Sequence, residues 1–378
     1  MLSHRQRLRC RVDTDVETMN IRLKPIQEQV IVVTGASSGI GLVTARMAAK
    51  LGARLVLSAR NEAALQQVTL EINGHEANGG EADFVAGDVA DEVVVRRVAD
   101  RAIDRFGRID TWINCAGVSI YGRIIDVSLE DQRRLFETNF WGVAIGSRIA
   151  VGHLRKNGGA LINIGSILSD RAIPLQGMYC ASKHAVKAYT DALRMEVEHD
   201  GLPISVTLVK PGSVDTPYAE HAKNYLPNEP KNSPFAYAPE VVAETILYCA
   251  EHPVRDVFAG GTAKAVSMLG NLAPRLTDRI MKHTMFTAQQ SDQADQDRLD
   301  NGLYSSAGGL QERSGRALYI AESSLYTQAS LHPMVTGAVA ALAVAALISI
   351  FRHGGSKSLN GHGYGMRPPQ SRTNQDFW

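Results

Sequence analysis

A glycine-rich turn and a tyrosine–lysine pair carry the chemistry this sequence can do. Thr34-Gly35-Ala36-Ser37-Ser38-Gly39-Ile40-Gly41 follows the β-branched run Val30 to Val33 and opens a helical pattern. Glycines allow a tight turn and a close approach of backbone to a pyrophosphate, and a helix N-terminus offers unpaired N–H groups and a positive dipole end. Tyr179 and Lys183 stand four positions apart, so on a helix they share a face. A free tyrosine, with a pKa of about 10, is a poor base at neutral pH. An ammonium about 4 Å from a phenolate contributes roughly 4 kcal/mol at an effective dielectric of about 20, and one pKa unit is about 1.4 kcal/mol. A lysine so placed moves the tyrosine toward a pH at which it exchanges a proton with a substrate oxygen. Ser166 offers a hydroxyl that could polarise that oxygen. A serine and a lysine alone would also suit a hydrolase, but that chemistry needs neither the glycine turn nor the tyrosine.

These groups need a frame. From Gln29 to Gly261 short β-branched runs alternate with helical segments. Strands read at Val30 to Val33, Arg54 to Leu57, Ala82 to Val85, Asp110 to Ile113, Ala160 to Ile164, Ile204 to Val209 and Val257-Phe258. Helical patterns lie between them, the longest from Leu129 to Leu154 and from Tyr179 to Asp200. Such βαβ alternation predicts an α/β fold: a doubly wound parallel sheet of the Rossmann type with helices on both faces. Its ligand lies at the carboxyl ends of the strands, near the point where strand order reverses. After Thr262 the alternation stops. Val266, Leu269, Leu272, Leu276 and Ile280 recur at three- and four-residue spacing, which predicts an α-helical C-terminal extension that Pro274 kinks or restarts. Ser291 to Asn301 is polar and acidic and reads as a linker. The chain thus divides into a basic leader (1–27), a dinucleotide-binding catalytic domain (28–261), a helical and linker extension (262–332), a candidate membrane or anchor helix (333–351) and a basic tail (352–378).

The turn has the spacing TGxxxGxG, and here the chain resembles the classical short-chain dehydrogenase/reductase family. Over about residues 28 to 261 further matches follow in the family's order. Asp88-Val89 stands after the third strand, and Asn114-Cys115-Ala116-Gly117 after the fourth, with Cys115 replacing an asparagine of the family's pattern. Asn139 lies in the next helix and Ser166 after the fifth strand. Tyr179-Cys180-Ala181-Ser182-Lys183 matches YxxxK, and Pro211-Gly212 with Thr216 follows the sixth strand. The resemblance implies hydride transfer between a nicotinamide dinucleotide and a ketone, aldehyde or secondary alcohol. Tyr179 is then the general acid/base, and Ser166 polarises the substrate oxygen. Lys183 holds the nicotinamide ribose and, with the charge of the oxidised nicotinamide, lowers Tyr179 by up to about 3 units. Asn139 positions a water in a proton relay behind Lys183.

The resemblance also places the cofactor on Gly35, Ser37, Ser38, Gly39, Ile40 and Gly41, with Asp88 at the adenine and Thr216 at the nicotinamide amide. Val89, Asn114, Ala116, Gly117, Pro211 and Gly212 complete that set, together with Tyr179 and Lys183. Members preferring NAD carry an acid near the Ala59 position. Arg60 follows Ala59 here and could pair with a 2′-phosphate through charge-assisted hydrogen bonds, so NADP(H) is expected over NAD(H). Val214 to Tyr237 would be the substrate loop, with Tyr218, Tyr225, Leu226, Phe235 and Tyr237 lining it for an apolar compound. Members commonly form dimers or tetramers, so a homo-oligomer is expected. Two alternatives remain: a dinucleotide-sensing scaffold without catalysis, and an epimerase or dehydratase of the extended family, which usually shows TGxxGxxG.

Composition agrees with a globular enzyme. Hydrophobic residues make up 44% and charged ones 21%, which excludes a disordered or collagen-like chain. Forty basic side chains against 39 acidic ones leave a net charge of +1, which excludes a strongly basic nucleic-acid binder. Cys10, Cys115, Cys180 and Cys249 form neither CxxC pairs nor zinc spacing, so reduced thiols, a cytosol-facing chain and no metal are expected. The leader carries Arg5, Arg7, Arg9 and Arg11 with no apolar run behind them, so it is no signal peptide; Met19 offers a second start. Met334 to Phe351 is an uncharged run of eighteen residues, near the lower limit for a spanning helix, and reads as a membrane anchor or a helix packed on protein. The tail beyond it holds Arg352, Lys357, Arg367 and Arg372 against Asp376. The positive-inside rule keeps such a tail in the cytoplasm, on the side of the catalytic domain, which opposes a single span. Leu276 to Met285, basic and apolar-faced, reads as an interfacial helix.

Overall fold

Seven strands carry the fold: β1 (Val30–Thr34), β2 (Arg54–Ala59), β3 (Glu81–Ala86), β4 (Thr111–Asn114), β5 (Gly159–Ile164), β6 (Ile204–Pro211) and β7 (Asp256–Ala259). β1 is buried at every position, as a strand covered on both faces must be. The computed structural model describes residues 21–74, 79–231, 233–295 and 301–332, with 334, 336–338, 341, 342 and 344. The arginines of the leader, Met19, the basic tail and most of the uncharged stretch 334–351 lie outside the described residues. The strands form one parallel sheet in the order β7-β6-β5-β4-β1-β2-β3. Val33 of β1 stands opposite Leu57 of β2 on one side and Ile113 of β4 on the other. Chain order reverses between β1 and β4, so a crevice opens at the carboxyl ends of these two strands.

Alternation along β1 divides the core in two. Ile31 and Val33 face a cluster with Leu42, Leu55, Leu57, Val242 and Ile246. Val30 and Val32 face the other side, with Val56, Val98, Trp112, Ala150 and Val197. The covering helices are α1 (Gly39–Lys50), α2 (Glu62–Gly74), α3 (Glu92–Phe106), α4 (Leu129–Phe136), α5 (Gly142–Leu154), α6 (Gly177–His199) and α7 (Pro239–Glu251). Local sequence sets their ends. The Asp91 carboxylate accepts the Val93 N–H at the start of α3, and Gly107, at φ 79°, closes it in the left-handed conformation. The stretch from Leu129 to Leu154, expected as one helix, is instead interrupted by a π turn, Glu137–Trp141. That wider turn holds Asn139 fully buried.

The extension departs from a purely helical reading. α8 (Gly261–Leu272) and α9 (Pro274–Ala288) form as the periodicity predicts, and Pro274 restarts the helix at its first position. Within the stretch read as a linker, Gln290–Ala294 forms a short strand antiparallel to Asn228–Pro230. Its side chains are exposed or half-exposed, so no hydrophobic alternation marks it. Tyr319–Ala321 pairs with Phe235–Tyr237, and α10 (Leu325–Leu331) follows. The described residues up to Leu331 form one compact unit, and those from His332 belong to a second. Among the described residues no helix is long and apolar enough to cross a membrane.

Candidate active site

The crevice is built where the β1 and β4 loops meet. The Thr34 hydroxyl, at the end of β1, accepts the N–H groups of Cys115 (3.0 Å) and Ala116 (3.3 Å). Gly35 adopts φ 70°, and a Cβ there would stand 2.8 Å from the Ala116 Cα. A Cβ on Gly41 would stand 2.2 Å from the Gly35 carbonyl oxygen. Only glycine permits these approaches. Ser38, the N-cap of α1, makes no capping bond through its side chain, so no side chain of the cap covers the helix N-terminus. The crevice widens into a cleft of about 630 Å³ that runs from this turn past Ala116 and Gly117 to Tyr179 and Lys183. A backbone cradle at one end and ionisable side chains at the other fit an elongated dinucleotide.

Tyr179 and Lys183 lie in the first two turns of α6. The Lys183 Nζ donates to the Ile164 carbonyl at 2.8 Å and stands 5.7 Å from the Tyr179 ring centre. Ser166 follows β5 and caps a short 3-10 turn: its Oγ accepts the Leu168 N–H at 3.0 Å. Tyr179 meets Tyr218 edge-on with ring centres 5.4 Å apart, and Ser166 lines the same cleft. Burial pushes the Tyr179 phenol up to about 12 and the Lys183 ammonium down to about 8. This differs from the expectation that Lys183 draws the tyrosine down. Lys183 is buried and Tyr179 half-buried, and taking the charged form of each out of water sets both directions. The Asn139 side chain is held on both edges: Oδ1 accepts the Val118 N–H at 2.8 Å, and Nδ2 donates to the Val118 carbonyl (2.9 Å) and to Ser182 Oγ (3.1 Å).

The cleft lining contains Gly35, Ser37, Ser38, Gly39, Ile40, Gly41, Arg60, Asp88, Val89, Ala116, Gly117, Ser166, Pro211, Gly212 and Thr216. Asn139 lies behind that lining. Asn114 also stays out of it, because alternation along β4 turns its side chain into the layer beneath α5. There its Oδ1 accepts from Trp112 Nε1, and its Nδ2 donates to Asn163 Oδ1, each at 2.8 Å. Cys115 lines the cleft in its place, with its thiol pushed up to about 12 by burial.

Of the aromatic residues expected to line a substrate loop, Tyr218 alone among the described residues does so. Tyr225 donates to Asp131 at 2.6 Å, and Leu226 packs with Tyr121. Phe235 stacks on Tyr319 with ring centres 4.8 Å apart, and the Tyr237 oxygen accepts the Gly261 N–H at 3.1 Å. Sequence reasoning missed Gln176 and Gln289, which join at 2.7 Å, and Met285 and Ala288 of α9, all of which line the cleft. One side of the segment read as interfacial therefore faces the site, while Leu276 and Ile280 remain exposed.

Comparison with known proteins bears on this geometry. Residues 29–225 match the short chain dehydrogenase family. The chain is 47% identical over 328 residues to the uncharacterized oxidoreductase YxnA of Bacillus subtilis (strain 168), covering 86% of this chain and 91% of that protein. A match of that length on this chain includes residues 302–311 wherever it starts. It is 35% identical over 272 residues to dehydrogenase/reductase SDR family member 7B of Danio rerio, covering 69% of this chain and 87% of that one. An alcohol dehydrogenase from the archaeon Thermococcus sibiricus, solved with 5-hydroxy-NADP, superimposes with a TM-score of 0.54 at 26% identity over 61% of this chain and 95% of its own. A short chain dehydrogenase/reductase from Burkholderia phymatum, solved with NAD, shares the fold at a TM-score of 0.58 and 24% identity, over 71% of this chain and 98% of its own.

Proposed function

The chain belongs to the short-chain dehydrogenase/reductase family and is an oxidoreductase of CH–OH and C=O groups that uses a nicotinamide cofactor, and on that premise we propose that it is an NADP(H)-dependent reductase of a lipophilic ketone or aldehyde, with Tyr179 as its acid. The observation that carries this reading is the convergence of Tyr179, Lys183 and Ser166 at one end of a cleft whose other end is the glycine turn. Arg60 in the lining supports NADP(H), since an arginine is a charge-assisted donor to a 2′-phosphate. Ile164, Ile167, Leu168, Ile173 and Met285 line the catalytic end and support an apolar substrate.

Bound nicotinamide supplies the hydride. The protein holds and moves the proton. Burial keeps Tyr179 a neutral phenol up to about pH 12, the form that can donate to a carbonyl oxygen as charge develops there. Ser166 Oγ already accepts from Leu168, which leaves its own proton for the same oxygen. Lys183, fixed to the Ile164 carbonyl, supplies positive charge beside the phenolate that remains. Asn139, locked by Val118 and Ser182, holds the π turn against α6.

This reading includes attachment to a membrane surface through 334–351 and the segment Leu276 to Met285 of α9. Leu276 and Ile280 are 52 and 46% exposed there, in a stretch that also carries Arg275, Arg279 and Lys282. It includes a homo-oligomer as well, by analogy with the family. A panel of ketones and aldehydes, followed by NADPH consumption beside a parallel run with NADH, tests the proposed activity. Turnover of apolar carbonyl compounds with NADPH preferred supports it, and cofactor binding without turnover of any carbonyl or alcohol counts against it.

A further inference from the structure

Residues 302–311 return from the extension to the nucleotide end of the cleft, and neither the motifs nor the catalytic groups account for them. The Gly302 and Leu303 carbonyls accept hydrogen bonds from Nη2 and Nη1 of Arg60. Leu303 also accepts from Arg134 Nε at 3.0 Å, and Arg134 pairs with Asp88. The Gly308 carbonyl accepts from Asn61 Nδ2 at 2.8 Å. Farther along, the Leu310 N–H donates to the Ser37 carbonyl at 2.8 Å, and the Gly39 N–H donates to the Gln311 carbonyl at 2.9 Å. Each attachment falls on or beside a residue expected to surround the adenosine and pyrophosphate.

The segment is firmly placed. The Leu303 side chain is fully buried among Val118, Ile120, Val127 and Leu135. A Cβ on Gly302 would stand 2.9 Å from the His221 carbonyl oxygen, so backbone packs on backbone there. Gly302, Ser306, Ala307 and Gly308 line the same cleft as Arg60. The two carbonyls orient the guanidinium without neutralising it and take two of its five N–H groups.

We propose that residues 302–311 form the outer wall of the adenosine end of the nucleotide site, a strap beneath which the dinucleotide is held between Arg60 and Ser306 to Gly308. This rests on the dinucleotide reading but not on the choice between NADP(H) and NAD(H). The strap slows release of either cofactor and draws part of its binding from a segment outside the family match at 29–225.

Hydrogen exchange of the full chain, alone, with NADPH and with NADH, tests the strap together with stopped-flow dissociation of each dinucleotide. Protection of peptides spanning 302–311 is expected to rise at least about tenfold, alongside that of Ser37 to Gly41. Leu303→Ala is expected to speed dissociation of both cofactors about tenfold or more. Ala307→Glu, at a partly exposed position, keeps the test open if Leu303→Ala does not fold; it is expected to speed dissociation of both, and of NADPH more. Protection confined to Ser37 to Gly41, with unchanged dissociation in the folded variants, overturns the strap alone. Protection of neither segment by either cofactor overturns the dinucleotide reading and the strap with it.

Discussion

Lys183 donates to the main-chain carbonyl of Ile164 at 2.8 Å, and that bond ties the first turns of α6 to the carboxyl end of β5. The ammonium is thereby held 5.7 Å from the Tyr179 ring centre, in surroundings that favour the neutral form of both side chains. At neutral pH Tyr179 is then the phenol and Lys183 still largely the ammonium.

The pH dependence follows from those two groups. Reduction needs Tyr179 as the phenol, present up to about 12, and Lys183 as the ammonium, present below about 8. With saturating cofactor, the kcat/KM for carbonyl reduction is expected to be level near pH 6 to 7 and to fall about tenfold per unit well above pH 8. Stability moves the other way. The folded pKa of Lys183 lies below its ordinary 10.5, so the unfolded chain binds the proton more tightly between about 8 and 10.5. Urea unfolding of the wild type relative to Lys183→Met is expected to show the wild type gaining stability as pH rises through that window. A rate that stays level to pH 10 would contradict the role given to Lys183.

Arg60→Asp separates the cofactors. A charge-assisted hydrogen bond contributes about 1.5–3 kcal/mol, and the new carboxylate adds repulsion, so the Kd for NADPH is expected to rise about 100-fold. The loss of the carbonyl bonds to Gly302 and Leu303 affects both cofactors, so NADH is expected to weaken far less, by about tenfold or under. Fluorescence titration with each cofactor measures this. Equal losses would show that Arg60 does not face the 2′ position.

Gly41→Ala tests the cradle. Its Cβ would meet the Gly35 carbonyl oxygen at 2.2 Å, a separation that only a displaced turn can relieve. Dinucleotide affinity is expected to fall at least about tenfold, with a lower Tm from a strain of roughly 1–3 kcal/mol. Gly74→Ala, which meets nothing within 4 Å, serves as the control and is expected to keep both affinity and Tm. Titration and circular dichroism melting check the pair; native affinity in Gly41→Ala would remove the turn from the cofactor site.

The uncharged stretch at 334–351 is testable by fractionation. The full chain is expected in carbonate-washed membranes, and a chain ending at Pro333 is expected to be released and active. At 1.5 Å per residue, eighteen helical residues reach about 27 Å, close to the roughly 30 Å hydrocarbon core. A full chain wholly in the supernatant would overturn the attachment.

Much of the sheet and the cradle was legible because their signals are local. Val30 to Val33 read as a strand since a parallel strand buried on both faces keeps an unbroken apolar run, and TGxxxGxG records backbone approaches within a few residues. Destinations set by distant partners were not legible. Tyr218 and Tyr225 look alike in sequence, yet Tyr218 faces Tyr179 while Tyr225 is drawn to Asp131, 94 positions away. Nothing near Asn139 announces the π turn. Gly302 to Gly308 lies beyond the stretch read as a linker and carries no motif, since its attachments run through main-chain carbonyls and its anchor is the Leu303 side chain.

Tyr179→Phe, followed by both turnover and cofactor binding, bears most directly on the proposed chemistry. The phenol lines the cleft beside Lys183 and Ser166, and the substitution removes one hydroxyl while leaving the ring and its packing. Carbonyl reduction is expected to fall at least about 100-fold in kcat, the scale of a lost general acid, with the Kd for NADPH within about threefold of wild type. A kcat equal to that of the wild type, at unchanged NADPH affinity, would contradict proton transfer by Tyr179.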